Sequence, residues 1–117
     1  MSRPKKKPKP LVTPAIIRRV VKTIVREFQP EKIILFGSQA RGKPHWDSDL
    51  DLLIIGPSRL KPRERVFQVR RTLLPSPCPL DIFYYTPEEV AIWSQVKFSW
   101  LNMMQEEGKT IYGPKKT

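Results

Sequence analysis

The sequence predicts a small α+β fold, one β-sheet packed with helices. Three observations carry this. Apolar residues recur at helical spacing from Ile16 to Phe28. Short β-type runs at Lys32–Phe36, Leu50–Ile55 and Leu80–Tyr85 are each closed by turn residues or a proline. Between and after them come proline-led helix starts.

The elements follow in order. Thr13-Pro14 supplies an N-cap and a proline at the first helical position. Ile16, Ile17, Val20, Val21, Ile24, Val25 and Phe28 then form one stripe, with Arg18, Arg19, Lys22 and Arg26 off it. That is a core-packing helix ending before Pro30; a membrane-surface helix is its rival reading. KIILF (32–36) is the first strand, stopped by Gly37-Ser38, and 39–48 is a polar connection. Leu50 and Leu52–Ile55 build a second strand around two acids, up to Gly56-Pro57. Residues 63–74 are expected to be helical, with Val66, Phe67, Val69, Leu73 and Leu74 inward. LDIFYY (80–85) is the third strand, and Thr86-Pro87-Glu88-Glu89 opens another helix with acids at its positive end. Residues 99–107 predict a last helix stopped by Gly108, and 110–112 an edge strand. There is no internal repeat and no sign of a second domain.

The chain has 117 residues, room for one modest core. Its net charge of +11 suggests nucleic acid, but the distribution weakens that reading. Residues 1–10 and 109–117 hold eight of the 22 basic groups and no acid, leaving 14 basic against 11 acidic groups in 11–108. Residues 1–10 and 114–117 are expected to be disordered tails around a domain at 11–113. No apolar run approaches the roughly 20 residues of a membrane span, and no apolar segment follows the basic start as a signal peptide would need. With Cys78 the single cysteine, no internal disulfide forms, and a reducing cytoplasm is the expected setting. Cys78 lies between prolines with no base nearby and is expected to be structural.

The chemistry concentrates in Gly37-Ser38, ten residues, then Asp49-Leu50-Asp51. Strand side chains alternate faces, so Asp49 and Asp51 share one face while Leu50 points to the core. Paired carboxylates repel, and keeping both ionised favours a cation between them. Oxygen ligands suit Mg2+, which also binds substrate phosphates. Asp81 is the single acid in the third β run, beside Leu80, Ile82 and Phe83. If that strand lies beside the second, Asp81 becomes a third carboxylate, and three can hold two Mg2+ ions for in-line phosphoryl displacement. Gly37-Ser38 is the complementary half: glycine lets backbone approach phosphate closely, successive N–H groups make an anion-binding concavity, and the Ser38 hydroxyl donates. No G-K-[ST] follows, so this is not a Walker A loop.

Leu35-Phe36-Gly37-Ser38-Gln39-Ala40-Arg41-Gly42, followed by Ser48-Asp49-Leu50-Asp51-Leu52, resembles the minimal nucleotidyltransferase family of the DNA polymerase beta superfamily. The likeness extends over most of 14–113, including Asp81 and the closing Glu106–Gly113. It implies the nucleotidyltransferase, polymerase beta palm-like fold with a small mixed sheet. It also implies metal-dependent transfer of a nucleoside monophosphate, AMP above all, from ATP or another nucleoside triphosphate. By that resemblance Gly37 and Ser38 bind the triphosphate, and Asp49, Asp51 and Asp81 ligate metal. Asp81 also helps activate the acceptor hydroxyl, and Arg41 braces the loop or contacts phosphate or carboxylate. Small members of the family pair with a helical HEPN toxin whose RNase activity they neutralise, in some pairs by adenylylating a toxin tyrosine.

Two other functions stay open at this point: a non-catalytic antitoxin that blocks its partner sterically, and a stand-alone transferase acting on RNA or a small molecule. His45, beside Trp46 in a polar loop, is expected to be a surface residue, and Asp47, before the strand, to cap or be solvated. The cluster Arg59, Lys61, Arg63, Arg65, Arg70 and Arg71, offset in sequence by Glu64 alone, reads as a solvated helix face in preference to an RNA or partner contact. Trp93, Phe98, Trp100, Leu101, Met103 and Met104 read as core, with some left exposed because so short a chain has little core to bury them in.

Overall fold

Thr13 starts the first helix, α1 (Pro14–Phe28), its hydroxyl accepting from the Ile16 N–H at 3.2 Å, with Pro14 in the first turn. Gln29 ends it in the left-handed region at φ 47, its N–H returning to the Val25 carbonyl at 3.0 Å. A computed structural model describes residues 9–42 and 44–114. The expectation of disordered tails therefore lies mostly outside the described residues. From Leu11 onward the chain is tied in: the Leu11 N–H donates to the Trp46 carbonyl at 2.8 Å, and Val12 is buried.

The strands are β1 (Lys32–Phe36), β2 (Leu50–Ile55), β3 (Leu80–Tyr85) and β4 (Lys109–Tyr112). A single 3-10 turn, Gly37–Gln39, follows β1. Helix α2 (Pro62–Thr72) links β2 to β3, and α3 (Pro87–Trp93) and α4 (Trp100–Glu107) lie between β3 and β4. The sheet order is β3-β2-β1-β4. β1 runs antiparallel to both β2 and β4, and β2 runs parallel to β3, so the sheet is mixed. The helical crossover through α2 is what a parallel pair needs.

Alternation along β2 sorts the core into two layers. Leu50, Leu52 and Ile54, with Ile33, Leu35 and Ile82, pack against Val20 and Ile24 of α1 and Val69 of α2. Leu53 and Ile55, with Ile34, pack on Leu101 and Met104 of α4. Each large side chain removed from water here stabilises by roughly 1.5–3 kcal/mol. Asp49 and Asp51 belong to the second, α4-facing set.

The tertiary structure corrects three local expectations. Phe67 and Leu74 do not point inward; they are 63% and 68% exposed. α2 buries the stripe through Arg65 and Val69, which leaves Phe67, midway between them, on the outer side, and Leu74 lies beyond the helix end. Gly108 is not a left-handed helix stop: φ is −82, and glycine is needed because a Cβ would collide with the Ile34 side chain and the Met104 carbonyl. Arg65 is not on a solvated face. It is 8% exposed, and its Nη1 donates to Glu89 Oε1 at 2.6 Å while Nε donates to the Leu60 carbonyl at 2.9 Å. Glu89 also closes a capping box with Thr86 at the start of α3. Burial works to raise the Glu89 pKa, but the Thr86 N–H and the Arg65 guanidinium outweigh it and hold the carboxyl below its usual range. Of the C-terminal apolar residues, Leu101 and Met104 are buried, while Trp93, Phe98, Trp100 and Met103 are exposed. Among the described residues no helix is long and apolar enough to cross a membrane.

Candidate active site

The site forms where β1 ends. Gly37 has φ +73, a region that disfavours a Cβ, and the built position of that Cβ collides with the Asp51 carboxylate. Both requirements select glycine. The turn closes through Gly37 O, which accepts from Ala40 N at 3.1 Å and Arg41 N at 3.2 Å. The first N–H groups of such a turn have no partner within it, so Ser38 and Gln39 present donors beside Asp51. The return loop is held by Ser48, whose hydroxyl accepts from His45 N at 2.7 Å. Leu50 N donates to Pro79 O at 2.9 Å, which starts the β2–β3 pairing one residue before the acids meet.

Sheet register then sets Phe36, Asp51 and Asp81 side by side across three strands. Asp51 and Asp81 share a face because they are direct partners in a parallel pair, and Asp49 precedes Asp51 by two residues on that face. The Asp51 carboxyl is raised to about 6, first by burial and then by the charges of Asp81 and Asp49, with Arg41 opposing. Arg41 thus reaches Asp51 electrostatically. The three acids are not closed into a cage: among the described residues no group of three or more potential ligand side chains is gathered tightly enough to hold a metal. Asp81 instead faces Arg70 of α2, 3.8 Å from Nη2 to Oδ1.

A cation would fit this donor set. The candidate ligands are all carboxylate oxygens, and Asp51 is raised first by burial and then by the Asp81 and Asp49 charges, both of which a bound cation would counter. Asp49 and Asp81 are exposed, so packing does not hold their side chains away from Asp51.

Two neighbours escaped the sequence reading. Arg70 could be found only through the packing of α2 on β3. The aromatic row Phe36–Phe83–Trp100, with ring centroids 5.5 and 6.2 Å apart, runs along the same face. Phe83 was foreshadowed by its i+2 spacing from Asp81; Trp100, on another element, was not. His45 and Asp47 are exposed and take no part in the row. Cys78 is buried, and burial followed by the Asp49 charge raises its thiol pKa, which suits a structural residue.

A glycine-serine turn facing an acid pair, on a mixed sheet with helices on both faces, defines a nucleotidyl-transfer domain as a class. The chain belongs to the nucleotidyltransferase domain family, whose model matches residues 17–106. No curated protein sequence matches it significantly. Solved structures share the fold at low identity. One is a Sulfolobus solfataricus protein assigned to the nucleotidyltransferases, at 20% identity and TM-score 0.59, covering 85% of this chain and 78% of that one. Another is the MntA–HepT toxin–antitoxin, at 15% identity and TM-score 0.53, covering 87% and 74%. A third is a toxin–antitoxin with AMP-PNP, at 20% identity and TM-score 0.53, covering 82% and 73%.

Proposed function

We propose that this domain transfers a nucleoside monophosphate, AMP from ATP in the first instance, to an acceptor hydroxyl, and that it does so as the antitoxin partner of a helical HEPN-type toxin. The observation that carries the catalytic part is the row in which Gly37 and Asp51 touch and Asp51 pairs with Asp81. The toxin–antitoxin part is supported by the folds of the MntA–HepT and AMP-PNP complexes.

Gly37 and Ser38 would receive the β- and γ-phosphates through backbone N–H groups and the Ser38 hydroxyl. Asp49, Asp51 and Asp81 would hold Mg2+, two ions if the side chains close fully; bound there, it would neutralise phosphate charge and lower the pKa of the acceptor hydroxyl. Gly37-Ser38, at the end of β1, and Asp81, on β3, flank Asp51 from the two strands on either side of β2. In-line displacement needs the leaving group and the attacking oxygen on opposite sides of the phosphorus. The triphosphate tail therefore lies towards β1 and the acceptor comes from the β3 side. The acceptor oxygen bonds to the α-phosphorus, the α–β bridging P–O bond breaks, pyrophosphate leaves with that electron pair, and the hydroxyl proton passes to the Asp81 carboxylate and on to water. Arg41 tempers the negative charge around Asp51.

The test is incubation with labelled ATP, Mg2+ and the product of the adjacent gene, followed by mass analysis. A mass gain of one nucleotide on the partner, absent with Asp49→Asn/Asp51→Asn, supports the reading. A second reading, a steric antitoxin, is favoured by Arg70 standing on Asp81 and by the open arrangement of the acids. It predicts that the double variant protects cells from the toxin as well as the wild type does. Modification of RNA or a small molecule in place of the partner would identify a stand-alone transferase.

A further inference from the structure

The α3–α4 hairpin leaves a large apolar surface uncovered. Ile92, Trp93, Val96, Phe98, Trp100 and Met103 are all exposed, Phe98 at 89%. Two half-exposed tryptophans and this phenylalanine exceed what a solvated surface ordinarily carries, and Trp is among the residues enriched at binding hot spots. Phe98 also adopts φ 63, a left-handed conformation that is strained for a non-glycine residue. The connection holds it there. Ser99 Oγ donates to the Trp93 carbonyl at 3.0 Å, and Asn102 Nδ2 donates to the carbonyls of Ser94 at 3.1 Å and Val96 at 2.9 Å. The ring is thus presented to solvent on a braced loop, which lowers the entropy lost when something binds.

Charge narrows what that something is. Within a chain of net charge +11, residues 87–107 carry Glu88, Glu89, Glu106 and Glu107 against Lys97 alone. Glu89 is committed to Arg65; the exposed Glu88 stands one helical turn from Ile92 on α3, and the exposed Glu106 and Glu107 stand one turn from Met103 on α4. Nucleic acid and anionic membrane are repelled by them; an apolar segment flanked by lysine or arginine is attracted. Position narrows it further. The Trp100 ring lies 6.2 Å from that of Phe83, and Phe83 is two residues along β3 from Asp81 on the same face.

We infer that the α3–α4 surface is the docking site of a protein partner through an apolar, cation-bearing segment, anchored on Trp93 and Phe98, and that it delivers the partner to the β3 side of the site at Asp81. The delivery rests on the nucleotidyl-transfer reading; the docking does not.

The experiment uses the full chain and two synthetic amphipathic helical peptides of one pattern, one built of Leu and Lys, the other of Leu and Glu. Binding is measured by calorimetry, alongside Mg2+-dependent ATP binding and sedimentation velocity. The Leu/Lys peptide is expected to bind, and the Leu/Glu peptide to bind far more weakly. Phe98→Ser and Trp93→Ser should each weaken Leu/Lys binding by about tenfold or more. Glu106→Lys/Glu107→Lys should weaken it without touching an apolar anchor, which keeps the test independent of any repacking. ATP binding should be unchanged in all three variants. Unaltered peptide affinity in the variants overturns the proposal, as does equal affinity for the two peptides. A dimer that Phe98→Ser converts to monomer overturns it in favour of a second copy of this chain, and binding to phosphatidylserine vesicles lost in that variant overturns it in favour of a membrane. If the peptide results hold while the wild type binds no ATP, the docking surface stands and the catalytic reading falls.

Discussion

The Asp51 carboxylate occupies the space a side chain on residue 37 would need, so the glycine-serine turn and Asp51 are one steric unit. A change at either position is felt at the other, although 13 residues of mostly polar loop separate them in sequence.

Gly37→Ala adds a Cβ in the left-handed region and against Asp51. The backbone penalty alone is about 1–2 kcal/mol. Thermal unfolding should show that loss or more, and ATP affinity should fall with it. Because the clash is specific, Gly37→Ala combined with Asp51→Gly should lose less stability than the two single changes summed, measured as a double-mutant cycle.

Asp49→Asn with Asp51→Asn removes two of three neighbouring negative charges. In metal-free buffer at neutral pH the melting temperature should hold or rise, since the cost of burying the Asp51 charge and its repulsion by Asp81 and Asp49 both disappear. Nucleotide transfer should fall by at least about a hundredfold, because amides are poor Mg2+ ligands and the charge stabilisation at phosphorus is lost. A rate within a few-fold of wild type would place the chemistry elsewhere.

Glu89→Ala strands the Arg65 guanidinium, which is 8% exposed, without its acid. Removing one partner of a buried pair costs about 3–5 kcal/mol; with Glu89 itself partly exposed, the lower end is expected. The pH dependence has a definite sign. The folded Glu89 carboxyl titrates below its unfolded value near 4.5, so its stabilisation is complete above that pH and is lost as pH falls through the folded value. Denaturant unfolding of wild type and Glu89→Gln across pH 3–7 should show the gap between them shrinking at the acid end.

Phe67→Ser should change stability by no more than about 0.5 kcal/mol, because the side chain is already mostly in water. Val69→Ser, two residues on and fully buried, should cost several times more. Parallel urea titrations of the two variants check the orientation of α2 directly.

Element by element, much of this protein was legible in its sequence. Thr13-Pro14, Thr86-Pro87 and the Gly37-Ser38 stop fall within a residue or two of the observed boundaries, because caps, prolines and turns act locally. The common face of Asp49 and Asp51 was legible too, since strand alternation needs no knowledge of the rest of the chain. What the tertiary structure alone decided is where distant segments meet. Asp81 joins Asp51 through parallel pairing, and that depends on the α2 crossover bringing β3 alongside β2. Arg65 finds Glu89, Arg70 finds Asp81 and Trp100 finds Phe83, at separations no local pattern encodes. Phe67 and Leu74, apolar like their buried neighbours, face water because a helix buries only the side its partners cover. Periodicity and capping are properties of a few consecutive residues; which face is covered, and which charge meets which, are properties of the packed whole.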